Sequence, residues 1–268
     1  VKARPLLSAL AARLDGLAML GLAGFLGWLI VSGDYWMYLN PRFKPATAVA
    51  AGLLAVLAVL ATWRPVSRPS PGRAACYLAL ALMIGLAEGG RQDFSPTAEN
   101  DPFAGNPALP ALDATQPAGP ERTAIAGTTY VPLNVAELFN IAAKGHGPAF
   151  DRPYVLRGFV HRSPELDAKG QFVLWRLAVW CCFADATAVG FRVTPPPGQA
   201  PPEDQTWLVA YGRLTDAPAD EKPYTLPGMT FSSVNPTAVF AAAHLETAVP
   251  APEETSMFEW REGAPYAY

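Results

Sequence analysis

Gly16 to Gly33 reads GLAMLGLAGFLGWLIVSG, eighteen residues without a charge, and it decides what kind of chain this is. A bilayer core about 30 Å thick takes roughly 20 apolar residues at 1.5 Å each, with about 17 as the practical minimum. The segment is long enough to cross. Working outward, Ala46 to Trp63 (ATAVAAGLLAVLAVLATW) is equally apolar and uncharged. Ala74 to Gly90 (AACYLALALMIGLAEGG) has a shorter apolar stretch and carries Glu88 near its end, so it spans with snorkelling flanks or a thinned bilayer. The expectation is a membrane domain over residues 1–90 with three helices, about 16–33, 46–63 and 74–90.

A secretory signal is the rival reading of the first segment, since Lys2, Arg4 and Arg13 precede it. It fails because the apolar run exceeds a typical signal core and leads into Asp34, Tyr35, Trp36 and Tyr38, with no small-x-small cleavage site. Basic residues near helix ends are retained in the cytoplasm. Lys2, Arg4, Arg13, Arg64, Arg68 and Arg73 lie on one side, against Arg42, Lys44 and Arg91 on the other. The count predicts a bacterial inner-membrane protein with a cytoplasmic N-terminus and a periplasmic C-terminal part.

Residues 91–127 change character: six prolines, five acidic residues and little apolar clustering read as an extended linker. Beyond it, Thr128 to Val131 is β-like, and Val135 to Ala143 is a short amphipathic helix with Asn134 as its cap. Strand signals follow at 154–162, 171–180, 188–194, 206–214 and 237–247. Five strands in about 100 residues, with glycines inside the first, third and fourth, predict a mainly-β domain over 128–249. An OB-like small barrel fits best, with a β-sandwich as the alternative. Residues 250–268 read as an extended C-terminal tail that packs on a neighbouring surface.

The chain has three cysteines, Cys76 in the third apolar segment and the adjacent pair Cys181 and Cys182. Neighbouring strand residues point to opposite faces, so the pair can share a metal only where the strand breaks, which the following Phe183-Ala184-Asp185-Ala186 turn permits. Structural thiols, a metal or thiol site drawing on Asp185, and a strained vicinal disulfide all remain open. His146, His161 and His244 are too scattered for a ligand pattern. Asp185 also suits a turn cap.

No phosphate loop, GxSxG elbow or HExxH occurs, so neither an enzyme nor a bound cofactor is expected. Residues 128–268 hold 10 basic and 15 acidic residues, the wrong sign for nucleic acid. The apolar segments lack central ionisable groups, with Asp15 and Glu88 only at their ends, and so do not form a pore alone. They do carry small residues at four-residue spacing: Ala23 and Gly27, Ala48 and Gly52, Ala51 and Ala55, then Ala81, Gly85 and Gly89. Such positions suit close packing in lipid.

Ser32 to Phe43 (SGDYWMYLNPRF), Gly158 to Arg162 (GFVHR) and Phe172 to Gly190 (FVLWRLAVWCCFADATAVG) together resemble the YcgQ-like permease-subunit family of bacterial membrane proteins. The resemblance spans most of the chain except the linker and tail. It implies a subunit paired with a separate multi-helix permease. Family members carry a His-rich segment between the second and third helices, which implies metal handling. Arg64 to Arg73 (RPVSRPSPGR) departs from that, with neither His nor Cys.

The expected function is a non-catalytic accessory subunit of a larger integral-membrane complex, with other membrane proteins and the bilayer as partners. The alternatives are a periplasmic metal- or thiol-handling subunit of a permease, and an accessory subunit of a respiratory or photosynthetic complex. An oligosaccharide- or small-ligand-binding barrel predicts a concave aromatic face, and is left without support if Trp175, Trp180 and Trp207 all lie in the core.

Overall fold

The computed structural model describes residues 13–32, 35–63, 76, 77, 79, 124–220, 222–229, 231–250 and 252–258. The chain divides into two compact units, residues 1–97 and 98–268.

In the first unit, α1 (Leu14–Val31) and α2 (Lys44–Trp63) form where the apolar runs predict them. Both are long and apolar enough to cross a membrane. They pack on each other through small side chains: a Cβ on Gly16 would lie 2.9 Å from the Ala58 carbonyl and 2.5 Å from Thr62 Cγ2. Ala23, Leu29, Thr47 and Ala58 are buried. The opposite surfaces are apolar and exposed, with Leu20, Trp28, Leu53, Val56, Leu57 and Leu60 all outward.

The connection between these helices is a built structure. Tyr35 is fully buried, and its hydroxyl lies 2.8 Å from Thr47 Oγ1. Asn40, also buried, accepts the Arg42 N–H at the start of a 3-10 turn, Pro41–Phe43, that leads into α2. Of the third expected helix, Cys76, Tyr77 and Ala79 are helical, and the Tyr77 hydroxyl donates to Asp15 Oδ1 at 2.8 Å. The rest of residues 74–90 and the linker up to residue 123 lie outside the described residues.

The second unit opens earlier than composition suggests. β1 (Ala124–Ile125) and β2 (Thr128–Thr129) form a hairpin turned by Ala126 and Gly127, both with positive φ. Then come β3 (Val131–Pro132) and α3 (Val135–Lys144). Asn134 caps α3: its side chain accepts the Glu137 N–H while the Glu137 carboxylate accepts the Asn134 N–H, a reciprocal capping box. The remaining elements are β4 (Pro153–His161), α4 (Pro164–Ala168), β5 (Phe172–Ala178), β6 (Thr187–Thr194), β7 (Trp207–Asp216), β8 (Ser232–Thr247) and β9 (Ser256–Met257).

The strands run in the order β4-β7-β8-β6-β5, and β5 pairs back onto β4, so the sheet closes into a barrel and the sandwich alternative is set aside. Closure rests on three residue pairs, Phe159 with Trp175, Val160 with Leu174 and His161 with Val173. Gly158 permits it, because a Cβ there would sit 2.7 Å from the Trp175 carbonyl. All ladders within the barrel are antiparallel except β6 with β8, which is parallel.

Alternation sorts the side chains. Tyr154, Leu156, Val160, Phe172, Leu174 and Phe240 belong to the main core, which also takes in Val135, Leu138 and Ala142 of α3. The intervening residues Phe159, Val173, Trp175, Leu177 and Trp207 form a second cluster, covered by Leu166 of α4 and by Tyr224, Leu226 and Met229 of the β7–β8 loop. A third, Val155, Val209 and Tyr211, is covered by Tyr130 and Ile125. β8 begins five residues before the expected start, with Pro236 at a register shift between β6 and β8. There the Asn235 side chain accepts the N–H groups of Thr237 and Ala238. The beginning of the expected tail contributes β9, which pairs in parallel with the end of β5.

Candidate functional site

β5 stops at Ala178, and the two cysteines lie just beyond it in a turn. The alternation that would have sent their side chains to opposite faces has therefore ended, and the sulfur atoms of Cys181 and Cys182 are 3.5 Å apart. Asp185 closes the turn from its far end. Its Oδ1 accepts the Trp180 N–H at 2.9 Å and its Oδ2 the Cys181 N–H at 2.8 Å, while its own N–H donates to the Cys182 carbonyl at 3.1 Å. The near end is fixed by Val179, whose N–H donates to the Met257 carbonyl at 2.9 Å. One potential ligand atom from each of Cys181, Cys182 and Asp185 lies within 4.8 Å of the others.

The turn's electrostatics follow from this geometry. The Asp185 carboxylate holds the Cys181 thiol proton, with help from Cys182, and pushes that thiol up to about 11. For Asp185, burial raises the carboxyl. The Cys181 thiol and the N–H groups of Cys181, Trp180 and Cys182 outweigh it and hold the group below the usual carboxylate range. Cys181 is exposed and Cys182 half-buried, and all three cysteines are free thiols.

A groove of about 270 Å³ adjoins the turn, lined by Phe139 and Asn140 of α3, Thr187 and Val189 of β6, Ser233, Trp180 and Asp185. Trp180 is 56% exposed, whereas Trp175 and Trp207 are 2% and 4% exposed inside the second cluster. The three tryptophans do not share a face. Two of the three are in the core, and Trp180 lies with Phe139 on the groove.

The histidines occupy separate places. His146 pairs with Asp216 at 3.0 Å, and His244 with Glu246 at 3.1 Å. His161 sits 2.9 Å from the Tyr224 hydroxyl and 3.7 Å from Asp204. Burial lowers its pKa, partly offset by the Asp204 charge, and burial also raises that of Tyr224. The pair ties the β7–β8 loop to the end of β4, a link no sequence spacing announces. Of the small helix residues, Ala23 is buried and Gly27 half-buried, while Ala48 and Gly52 are exposed with open space beside Gly52. Ala81, Gly85 and Gly89 lie outside the described residues. Gly16, where α1 lies too near α2 for a Cβ, belongs to no four-residue small pair named from the sequence.

Apolar helices in one unit and a small barrel bearing a dithiol turn in the other define a two-part chain. Residues 146–239, from the loop before β4 into β8 and so including the cysteine turn, match the DUF1980 C-terminal domain family. That match covers 94 of the 268 residues and is consistent with the YcgQ-like resemblance. No curated protein and no solved structure matches the chain.

Proposed function

We propose that this chain is a non-catalytic accessory subunit of a larger complex in a bacterial inner membrane. Its helices dock against other integral membrane proteins, and its barrel is presented in the periplasm. The carrying observation is the surface of α1 and α2. Gly16 and Ala58 serve the contact between the two helices, while Leu20, Trp28, Leu53, Val56, Leu57 and Leu60 stay exposed beside the equally exposed Ala48 and Gly52, an apolar surface that needs lipid or another helix as its solvent. The barrel order β4-β5-β6-β8-β7, closed on β4 with β6 parallel to β8, supports the finer reading of an OB-like fold. In such barrels a ligand takes the outer face of the second and third strands. Here Tyr224, Leu226 and Met229 cover part of that face, and the net negative charge also disfavours nucleic acid. A permease is the partner that the family resemblance supports.

Gentle detergent extraction from native membranes, followed by identification of what co-purifies, tests the reading. Stoichiometric recovery with a multi-helix membrane protein is expected; a lone monomer would overturn it. Orientation has its own test, because Cys181 is exposed. A membrane-impermeant maleimide should label it in intact spheroplasts, and labelling only after lysis would reverse the topology.

A further inference from the structure

We propose that Cys181, Cys182 and Asp185 form a three-donor binding site for a thiophilic divalent cation of the zinc class. The site stands on the geometry of the turn and does not depend on the accessory-subunit reading.

Zinc–thiolate bonds are about 2.3 Å, so two thiolates on one tetrahedral ion sit roughly 3.7 Å apart. The sulfurs of Cys181 and Cys182 are 3.5 Å apart, so they reach that spacing by a slight side-chain rotation with no backbone movement. Adjacent cysteines achieve this only off a strand, and the end of β5 at Ala178 provides the break. The turn is held before any ion arrives, by Asp185 accepting two N–H groups across it and by Val179 bonded to Met257. Preorganisation of this kind reduces the ordering cost of binding.

The donor set fixes the class of cation. Two sulfurs exclude magnesium and calcium, which take oxygen ligands, and favour zinc or its thiophilic relatives. Each Asp185 oxygen has lone-pair capacity beyond the N–H bond it accepts, so the carboxylate can turn one toward the ion. Binding replaces the two thiol protons: both Sγ–H groups ionise, two protons pass to the buffer, and the ion forms two Zn–S bonds and one Zn–O bond. A fourth position is left for water or an incoming donor. It opens toward solvent, since Cys181 is exposed, next to the groove that Asn140 and Ser233 help to line. That arrangement suits an ion passed on or shared with a partner better than one locked in place.

The test uses the full chain, purified in detergent and reduced, in a Cys76→Ser background that removes the third thiol. Zinc alone is titrated in competition with a chromophoric chelator, with proton release followed in weak buffer. One equivalent of zinc and about two protons per chain are expected. Cys181→Ser and Cys182→Ser should each weaken binding by more than about 100-fold, beyond what loss of an outer-shell partner causes. Cadmium should produce a thiolate charge-transfer band that either serine variant reduces. Tryptophan emission from the buried Trp175 and Trp207 reports whether each variant stays folded, and Val249→Ala, an exposed residue outside the turn and the groove, should keep its affinity within a few fold. Less than a fifth of an equivalent bound by the parent, or unchanged affinity in the folded Cys181→Ser,Cys182→Ser double variant, overturns the proposal.

Discussion

Replacing Phe159 by Ala tests whether the β7–β8 loop really covers the outside of the barrel. Phe159 points away from the main core, yet it is only 3% exposed because Trp175, Trp207 and the loop surround it. Its ring lies 4.8 Å from that of Trp207, edge-on, and 5.7 Å from that of Trp175. Truncating a buried Phe to Ala costs about 3–5 kcal/mol, including the cavity left behind. Contacts with two indoles, each worth roughly 0.5–1.5 kcal/mol in such pairs, put this site toward the upper end of that range. The quantity to measure is the denaturant midpoint seen by tryptophan emission, at unchanged slope. Phe231→Ala is the control: that side chain is 54% exposed, and surface changes stay within about 0.5 kcal/mol. If Phe159→Ala costs less than about 1 kcal/mol, the loop does not seal this face, and an outer-face ligand site on the barrel returns to consideration.

Acidification should weaken the barrel through His161. Burial places its folded pKa below the unfolded value of about 6.5, so the unfolded chain binds more protons across that window and stability falls as the pH drops below about 6.5. His161→Gln should flatten that part of the denaturant-midpoint profile, and an unchanged slope would assign the effect elsewhere. Gly212→Ala meets the Ala241 carbonyl and the Ala242 backbone at the β7–β8 register shift, so a loss of several kcal/mol is expected by the same midpoint assay. Gly21→Ala, with nothing within 4 Å, should leave the helix content of α1 unchanged by circular dichroism. Asn134→Ala removes the capping box of α3 and should cost about 1 kcal/mol, measured against the parent chain.

The helices were legible because eighteen uncharged apolar residues leave few structural options, and α1 and α2 begin within two residues of the expected starts. The five main strands were legible because apolar alternation matches a two-faced strand. The glycines were informative as well, since Gly158 and Gly212 sit where neighbouring backbones approach too closely for a Cβ. What stayed hidden depends on residues far apart in sequence. β9 is two residues long and has no pattern until it meets β5. The second cluster is covered by a loop whose Tyr224 and Leu226 look like ordinary loop residues. Trp175 and Trp207 are buried outside the barrel, an arrangement that alternation alone reads as solvent-facing.

Asp185 is where the two readings of the cysteine turn meet. As a cap, it satisfies the N–H groups of Trp180 and Cys181; as a ligand, it offers a charged oxygen to an ion. Substitution to Asn separates these roles. The amide keeps one carbonyl oxygen to accept a turn N–H, so the fold should lose no more than about 1 kcal/mol. It loses the negative charge, which an ion needs more than a neutral N–H does. Asp185→Asn should therefore lower zinc affinity about tenfold or more, a change of the size that outer ligand-sphere losses set as a floor, while the denaturant midpoint of the metal-free chain barely moves. Asp185→Ala should lower both. If Asn and Ala lower stability equally and neither changes zinc affinity, Asp185 serves the turn alone, and the site contracts to its two sulfurs.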